Sequence, residues 1–502
     1  MSPGKHNTDD HSVVIIGAGW QGIAAARTYL QLKPNVKLTV IDSDSSVGGV
    51  WSVERSYPGL IADSPVGCYE FSDMCMDEDP ELKMWNIVPG DKVGQYLRNF
   101  TKKFHIDEHL RLNTKVLSAV PEHGIGEGSR WSLEVQENGK EKETVKCDKL
   151  IVASGPSSDP RMPNLDTSRF HGPVFHSLYL GARHAELTSD NIKHVTVVGG
   201  NKSAAEVVNL CASAGKKVTW LIREGGAGPG MFIQAKSGSV HNAAIAFSRW
   251  AVDFFWPGLW LVGKYWKWAS HYMLKDLYDQ SENARKIAPD MQHLFWSTSA
   301  PSFLQQESKL FEKLNAGILI DVQRTHISKV HNHSVTLDNG MHLATDALIF
   351  ATGWNLTFSK FFTPETRIEL DLPIPLGTEP PVMKAYWKEL DTEADKWNPP
   401  DNTPYHLYRQ SIPTALATSN DRSLIIFLGV LASPQIPTYA ELSALWGIAY
   451  LENMHSPEVN KVFSDKLTMD KQTARTNSFM KWRYRRAGII EPNVGAEVQD
   501  LL

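Results

Sequence analysis

The sequence predicts an α/β fold built from two Rossmann-like, three-layer ββα dinucleotide-binding units, with the second unit inserted into the first. Three observations predict it. A buried strand, a glycine turn and an alanine-rich helix follow one another in SVVIIGAGWQGIAAARTYL near the start of the chain. The same order recurs about 180 residues later in KHVTVVGGNKSAAEVVNLCASAGKKVTWLIREGG. Two further apolar strands, KLIVASG and ALIFATG, end in small residues and bracket that second copy, marking where the chain leaves and re-enters the first unit.

At 502 residues, with 42% hydrophobic and 21% charged content, the chain can bury more than one core. Its net charge of -5 is modest and dispersed, which argues against a nucleic-acid partner. The opening MSPGKHNTDDH lacks the apolar run of a secretory signal and the basic amphipathic character of a transit peptide, so a cytoplasmic location is expected. Cys68, Cys75, Cys147 and Cys211 are too few and scattered for a disulfide framework or a zinc cluster, and Cys68 and Cys75 lack the C-x-x-C spacing of a redox dithiol. No metal is expected. The apolar runs FFWPGLWLVG and Leu424 to Ala440 fall short of the roughly 20 residues of a membrane span.

In the first unit the turn is Gly17-Ala18-Gly19-Trp20-Gln21-Gly22. Gly17 permits the tight turn, Gly19 lets backbone approach a pyrophosphate at the helix N-terminus, and Gly22 allows close packing of helix on strand. The second strand, KLTVID, ends in Asp42, placed to accept hydrogen bonds from ribose hydroxyls. This complete set fits FAD.

In the second unit the turn is Gly199-Gly200-Asn201-Lys202-Ser203-Ala204. Ala204 is tolerated for helix packing, and Asn201 can adopt unusual backbone angles but carries a side chain toward the phosphates. Lys202 and Ser203 are candidates for phosphate contact; a solvated lysine and a capping serine are the plain alternative. The second strand here ends in Arg223 instead of an acid. A guanidinium suits a 2′-phosphate through paired charge-assisted bonds, which points to NADPH over NADH. The units divide the chain into 1–174 (flavin, first part), 175–343 (nicotinamide, with an aromatic insert at about 240–300) and 344–502 (flavin, second part).

These residues resemble the class B flavin-containing monooxygenases, the single-component FAD- and NADPH-dependent group that includes the Baeyer-Villiger enzymes, over nearly the whole chain. Gly48-Gly49-Val50-Trp51 is similar to the family's GGxW segment along the flavin, and Tyr57-Pro58-Gly59-Leu60 and Phe350 to Trp354 look like its YPGL turn and FATGW strand. Phe170, Gly172 and His176 match the family's identifying F-x-G-x-x-x-H; the aromatic that should close it falls on Leu180, with Tyr179 one place earlier. The resemblance makes His176 a hinge between the nucleotide units more than a general base. SAPSFLQQESKLFEKLNAGILIDV and LSALWGIAYL resemble fungal natural-product relatives, implying a hydrophobic secondary metabolite as substrate.

The resemblance implies a cycle in which NADPH reduces FAD, oxygen adds at flavin C4a, and one oxygen atom passes to substrate. Asp63 falls where Baeyer-Villiger relatives carry aspartate, whereas Ile61 stands where they carry arginine, so nitrogen, sulfur or carbon oxygenation and Baeyer-Villiger oxidation all stay open. Asp63 and His176 form the candidate catalytic set. The candidate cofactor-binding set is Gly17, Gly19, Gly22, Asp42, Gly49, Trp51, Asp63, Val116, Gly199, Gly200, Asn201, Lys202, Ser203, Arg223 and Gly353. A flavoprotein oxidase or dehydrogenase without oxygen transfer, and a non-catalytic flavin-binding scaffold, are the alternatives.

Finally, Trp250, Trp256, Trp260, Trp266 and Trp268 crowd about twenty residues. A substrate wall, an interfacial helix and a packed core or subunit contact each account for them, with membrane association disfavoured because basic residues lie only at the segment's edge. A monomer or a homodimer is expected.

Overall fold

The computed structural model describes residues 11–484 apart from 77–78, 85, 126–127, 225–228, 231, most of 235–276, 289–301, 305–308, 356–357, 359, 376–377, 379–404, 419–423 and 431–435. Of the aromatic insert, Trp250, Trp256, Trp260 and Trp266 lie outside the described residues; Trp268 is helical and 56% exposed.

Five parallel strands make the first sheet: β1 (Ser12–Ile16), β2 (Lys37–Ile41), β5 (Leu110–Arg111), β9 (Lys149–Val152) and β24 (Ile425–Phe427), in the order β24-β9-β1-β2-β5. Strand alternation decides what each face meets. Val13 and Ile15 of β1 pack with α1 (Trp20–Leu32), α2 (Gly90–Lys103) and the helix Ile436–Leu451. Val14 and Ile16 point the other way, into a core shared with Trp131, Leu133 and Val135. Those three come from the middle of an antiparallel sheet, β6 (Thr114–Pro121), β7 (Trp131–Glu137) and β8 (Lys142–Cys147). The layers are therefore helix, parallel sheet and antiparallel sheet, as expected. A short antiparallel pair, β3 (Ile61–Pro65) and β4 (Ile87–Pro89), leads into α2.

The second unit repeats the plan. Its parallel sheet runs β11-β20-β12-β13-β16, from β11 (Val174–His176), β12 (His194–Val198), β13 (Lys217–Ile222), β16 (Ile320–Arg324) and β20 (Ala347–Phe350). Helices α3 (Leu180–Thr188) and α4 (Lys202–Ser213) cover one face. The antiparallel sheet β17 (Ile327–Val330), β18 (Ser334–Leu337) and β19 (His342–Ala344) covers the other, where Val335 and Leu337 meet Leu348 and Phe350. A two-stranded piece, β14 (Phe232–Gln234) with β15 (Ser302–Leu304), flanks the unit.

Here the expected division needs correcting. The boundary at 343/344 falls short of β20, which lies between β11 and β12 and completes the second sheet rather than the first. Both of its faces are buried, so it is uniformly apolar and carries no mark of which sheet it joins.

The chain crosses between the units twice, and the crossings run side by side. β10 (Asp159–Pro160) pairs antiparallel with β21 (Trp354–Asn355). Arg161 N donates to the Gly353 carbonyl at 2.9 Å, and the Thr352 hydroxyl donates to the Arg161 carbonyl. After the return, a small hairpin of β22 (Leu407–Tyr408) and β23 (Ile412–Pro413) precedes β24.

One buried acid ties the far end of the first unit together. Glu452, just past the helix Ile436–Leu451, has a side chain only 5% exposed and accepts from Tyr29 at 2.6 Å, Lys33 at 2.6 Å and Lys149 at 2.7 Å. Burial alone would raise its pKa, but the bonds from His11, Lys149, Lys33 and Tyr29 hold it well below the carboxylate range. A depressed carboxylate contributes stability above its unfolded pKa of about 4.3 and loses it as pH falls. Glu452→Gln should therefore cost about 3 kcal/mol at neutral pH, the cost of breaking a buried ion pair, and the gap to the parent should narrow below about pH 4. Urea unfolding across that pH range checks both; a gap independent of pH would show the acid to be only a packing element.

Candidate functional site

At the first glycine turn, three pieces of backbone meet where no side chain fits. A Cβ at Gly17 would overlap the Ala153 carbonyl at the end of β9, and one at Gly22 would overlap the Gly17 carbonyl. Gly17 also sits at φ +109, a conformation that L side chains avoid. Across the cleft Gly49 lies against Gly19, its own φ at +59, so the cleft is lined by backbone on both sides. Trp51 closes it from within the 3-10 turn Gly49–Trp51 and is buried.

Asp42 organises this turn. Its carboxylate accepts from Ala18 N at 2.6 Å and from Asp44 N at 2.9 Å, fixing the glycine turn and its own loop at once. Burial raises its pKa, an effect that these backbone donors oppose. Val116 stands half-buried on β6, two residues beyond Thr114, whose amide donates to the Asp42 carbonyl at 2.8 Å.

A dinucleotide fits this cleft. The glycine cradle leaves backbone room at the N-terminus of α1, and the buried Ser154 Oγ and Gln21 Nε2 have no protein partner among the described residues.

The second turn is tighter than its sequence suggested. A Cβ at Gly199 would overlap the Ala351 carbonyl, and Trp220 Nε1 donates to the Gly199 carbonyl at 2.6 Å. Gly200 accepts from Gly230 N at 2.7 Å. Asn201, expected to carry its side chain toward the phosphates, instead caps α4: its Oδ1 accepts from Lys202 N at 2.9 Å. Ser203 is half-buried in the same first turn, and Arg223 stands exposed just past the C-terminal end of β13.

Lys202, one of the candidates for phosphate contact, is engaged within the protein. Its Nζ donates to the Ile61 carbonyl at 2.6 Å and lies 3.2 Å from Asp63 Oδ1 and 3.4 Å from Glu206 Oε1. The ammonium is 5.8 Å from the Trp51 ring centre. The other oxygen of Glu206 accepts from the Tyr57 hydroxyl at 2.6 Å. Asp63 and Trp51 are thus brought together with Lys202 at the junction of the two units. Burial raises the Asp63 pKa despite Lys202, raises that of Glu206 likewise, and the paired acids keep Lys202 charged by raising its own. Glu206 and Tyr57 were not among the expected site residues. The i,i+4 spacing from Lys202 to Glu206 was the available signal.

His176 is placed as a clamp between the second sheet and the crossing. It is 1% exposed, and both ring nitrogens are engaged by backbone: Nδ1 accepts from Leu178 N at 3.1 Å, which leaves Nε2 to donate to the Gly353 carbonyl at 3.0 Å. Burial lowers its pKa, keeping it neutral, and its ring meets Trp354 edge-on at 4.9 Å. Gly353, at φ +85, gives its carbonyl to His176 and to Arg161 N and so serves the crossing between units. Leu180 is buried in the core of the second unit, whereas Tyr179 is 49% exposed. The next residue, Gly181, meets the Glu54 and Arg55 backbone of the first unit so closely that a Cβ would overlap it.

The family model for flavin-binding monooxygenase-like proteins matches residues 10–370. The chain belongs to that family. Its relatives include an FAD-dependent monooxygenase of Pyrenophora dematioidea, 32% identical over 94% of this chain and 93% of that one. An FAD-dependent monooxygenase of Aspergillus sclerotiorum is 32% identical over 94% of this chain and 88% of the other. Among solved structures, the OTEMO complex with FAD and NADP superposes with a TM-score of 0.65 at 18% identity, covering 98% of this chain and 96% of that one. Cyclohexanone monooxygenase from Rhodococcus bound to NADP+ gives 0.63 at 16% identity, covering 98% and 95%. At such identities the structures speak for a shared fold. In this flavin-binding monooxygenase-like chain, as in the expected plan, two dinucleotide units share one junction.

His176→Ala removes two backbone bonds from that junction and should cost roughly 2 kcal/mol in urea unfolding. An unchanged midpoint would show that the crossings hold together without it.

Proposed function

We propose that the protein is an FAD- and NADPH-dependent monooxygenase that places one atom of dioxygen into a hydrophobic small molecule of the secondary-metabolite kind. The observation that carries this is the pairing of two glycine-turn clefts across a junction lined by Asp63, Lys202 and Trp51 in a chain of the flavin-binding monooxygenase-like family. The relatives named FAD-dependent monooxygenases support the flavin, and the similar structures whose titles record bound FAD and NADP support the coenzyme pair.

Bound FAD would accept a hydride from the nicotinamide and supply the electron pair that activates dioxygen. The chain's own residues prepare that step. Gly17, Gly19 and Gly22 expose the N-terminus of α1 to a pyrophosphate, and Asp42 offers carboxylate oxygens at the end of β2 for ribose hydroxyls. Arg223 offers a guanidinium fork to a 2′-phosphate. The buried Trp51 offers an apolar ring beside the glycine-lined walls of the cleft. Asp63 presents a carboxyl at the junction, where its charge acts on oxygen chemistry more than on hydride transfer.

Mixing purified protein with NADPH without oxygen should bleach the flavin, and readmitting labelled dioxygen with a panel of ketones, amines and indole-like compounds should put oxygen-18 into product. A flavin that stays oxidised under NADPH overturns the proposal. Arg223→Ala should raise the KM for NADPH by about 10-fold or more, matching the loss of a charged hydrogen bond, with little change for NADH. Equal changes for both coenzymes would move the phosphate elsewhere. Asp63→Asn should lower product formed per NADPH while flavin reduction stays within about threefold of the parent.

A further inference from the structure

Lys202 occupies the first turn of α4, yet its half-buried ammonium is engaged by groups of the protein itself. The groups facing it come from every neighbouring element: Asp63 and the Ile61 carbonyl from β3, Tyr57 from the turn before β3, Tyr69 beyond it, Trp51 from the 3-10 turn, and Glu206 from its own helix. One cation thus faces two carboxylates. Two contacts cross between the units, Tyr57 to Glu206 and Lys202 to Asp63, and the Glu206 to Lys202 pair on α4 links them.

We propose that Lys202 and Glu206 are positioning residues, which fasten the start of α4 to β3 and make Lys202 the cation that orients the Asp63 carboxyl at the flavin cleft, in place of a coenzyme-phosphate contact. The proposal rests on the FAD and NADPH assignment above. Ile61 contributes its carbonyl to this arrangement, so the lysine is anchored by backbone as well as by charge.

The two positioning residues act on Asp63 with opposite sign. Without the lysine, burial and the Glu206 charge both favour the protonated carboxyl, and its proton is released at higher pH. Without the Glu206 charge, the lysine answers to Asp63 alone, and the proton leaves at lower pH.

The test titrates the visible flavin spectrum of the purified holoenzyme, and its NADPH-driven hydrogen peroxide release, between pH 5 and 9. Relative to the parent midpoint, Lys202→Met should move the transition up by about one unit and Glu206→Gln should move it down. Lys202→Arg should restore most of the parent profile. The KM for NADPH in Lys202→Met should stay within about threefold of the parent, because no phosphate contact is lost. Should Lys202→Met fail to fold, Lys202→Gln supplies the uncharged side chain for the same comparison with Glu206→Gln. A midpoint absent from the parent, shifts of the same sign in both variants, or a KM for NADPH raised about 10-fold with that for NADH unchanged would overturn the proposal. Anaerobic bleaching of the parent by NADPH is read separately, so failure of the positioning role is distinguishable from failure of the functional assignment.

Discussion

The fold depends on the chain crossing between its two units twice in one place. β10 and β21 hold the two crossings together with a ladder only two residues long, and the Gly353 carbonyl collects both Arg161 N and His176 Nε2. So short a ladder is weak by itself. It persists because His176 is locked in turn by Leu178 N and by the Trp354 ring, and because Gly181 lets α3 lie directly on the 54–55 backbone. With the crossings fixed, the ends of the strands in both sheets face one junction, and Lys202 can span it. Were the crossings free, the two clefts would be independent binding sites with no shared chemistry.

Much of this was legible in the residues. The strand–turn–helix units and the acid at the end of β2 are legible because their requirements are local: a positive φ, a backbone approach and a carboxylate at a strand end recur wherever this turn is built. The second strand ending in Arg223 is legible for the same reason. The membership of β20 was not, since a strand buried on both faces is apolar throughout and its neighbours are decided by distant chain. Asn201 and Lys202 were read by position along the helix start, but a short amide beside the free Lys202 amide caps the helix. A long lysine stem goes to whatever acids the other unit presents.

Leu180 shows how a diagnostic position and a core position can coincide. The aromatic expected there would have to enter the core formed with Phe175 and Leu187, whereas Tyr179, one place earlier, lies on the surface. Adding ring volume to a filled core strains rotamers and backbone. The departure from the family pattern at 180 therefore has a packing basis, and it bears on how α3 seats beside the crossings more than on the reaction.

The order in which the sheets close has a consequence for biosynthesis. The inserted unit has its last strand, β20, once residue 350 has emerged, whereas the N-terminal unit waits for β24 at 425–427 and for the helix that delivers Glu452 to Lys33 and Lys149. During translation the middle of the chain can thus finish before its beginning. In that interval the edge of β9 that later receives β24 stands unpaired, an edge of the kind that recruits foreign strands. Emergence of β24 and of the helix behind it, and not of the first glycine turn, sets when a flavin cleft exists to be filled.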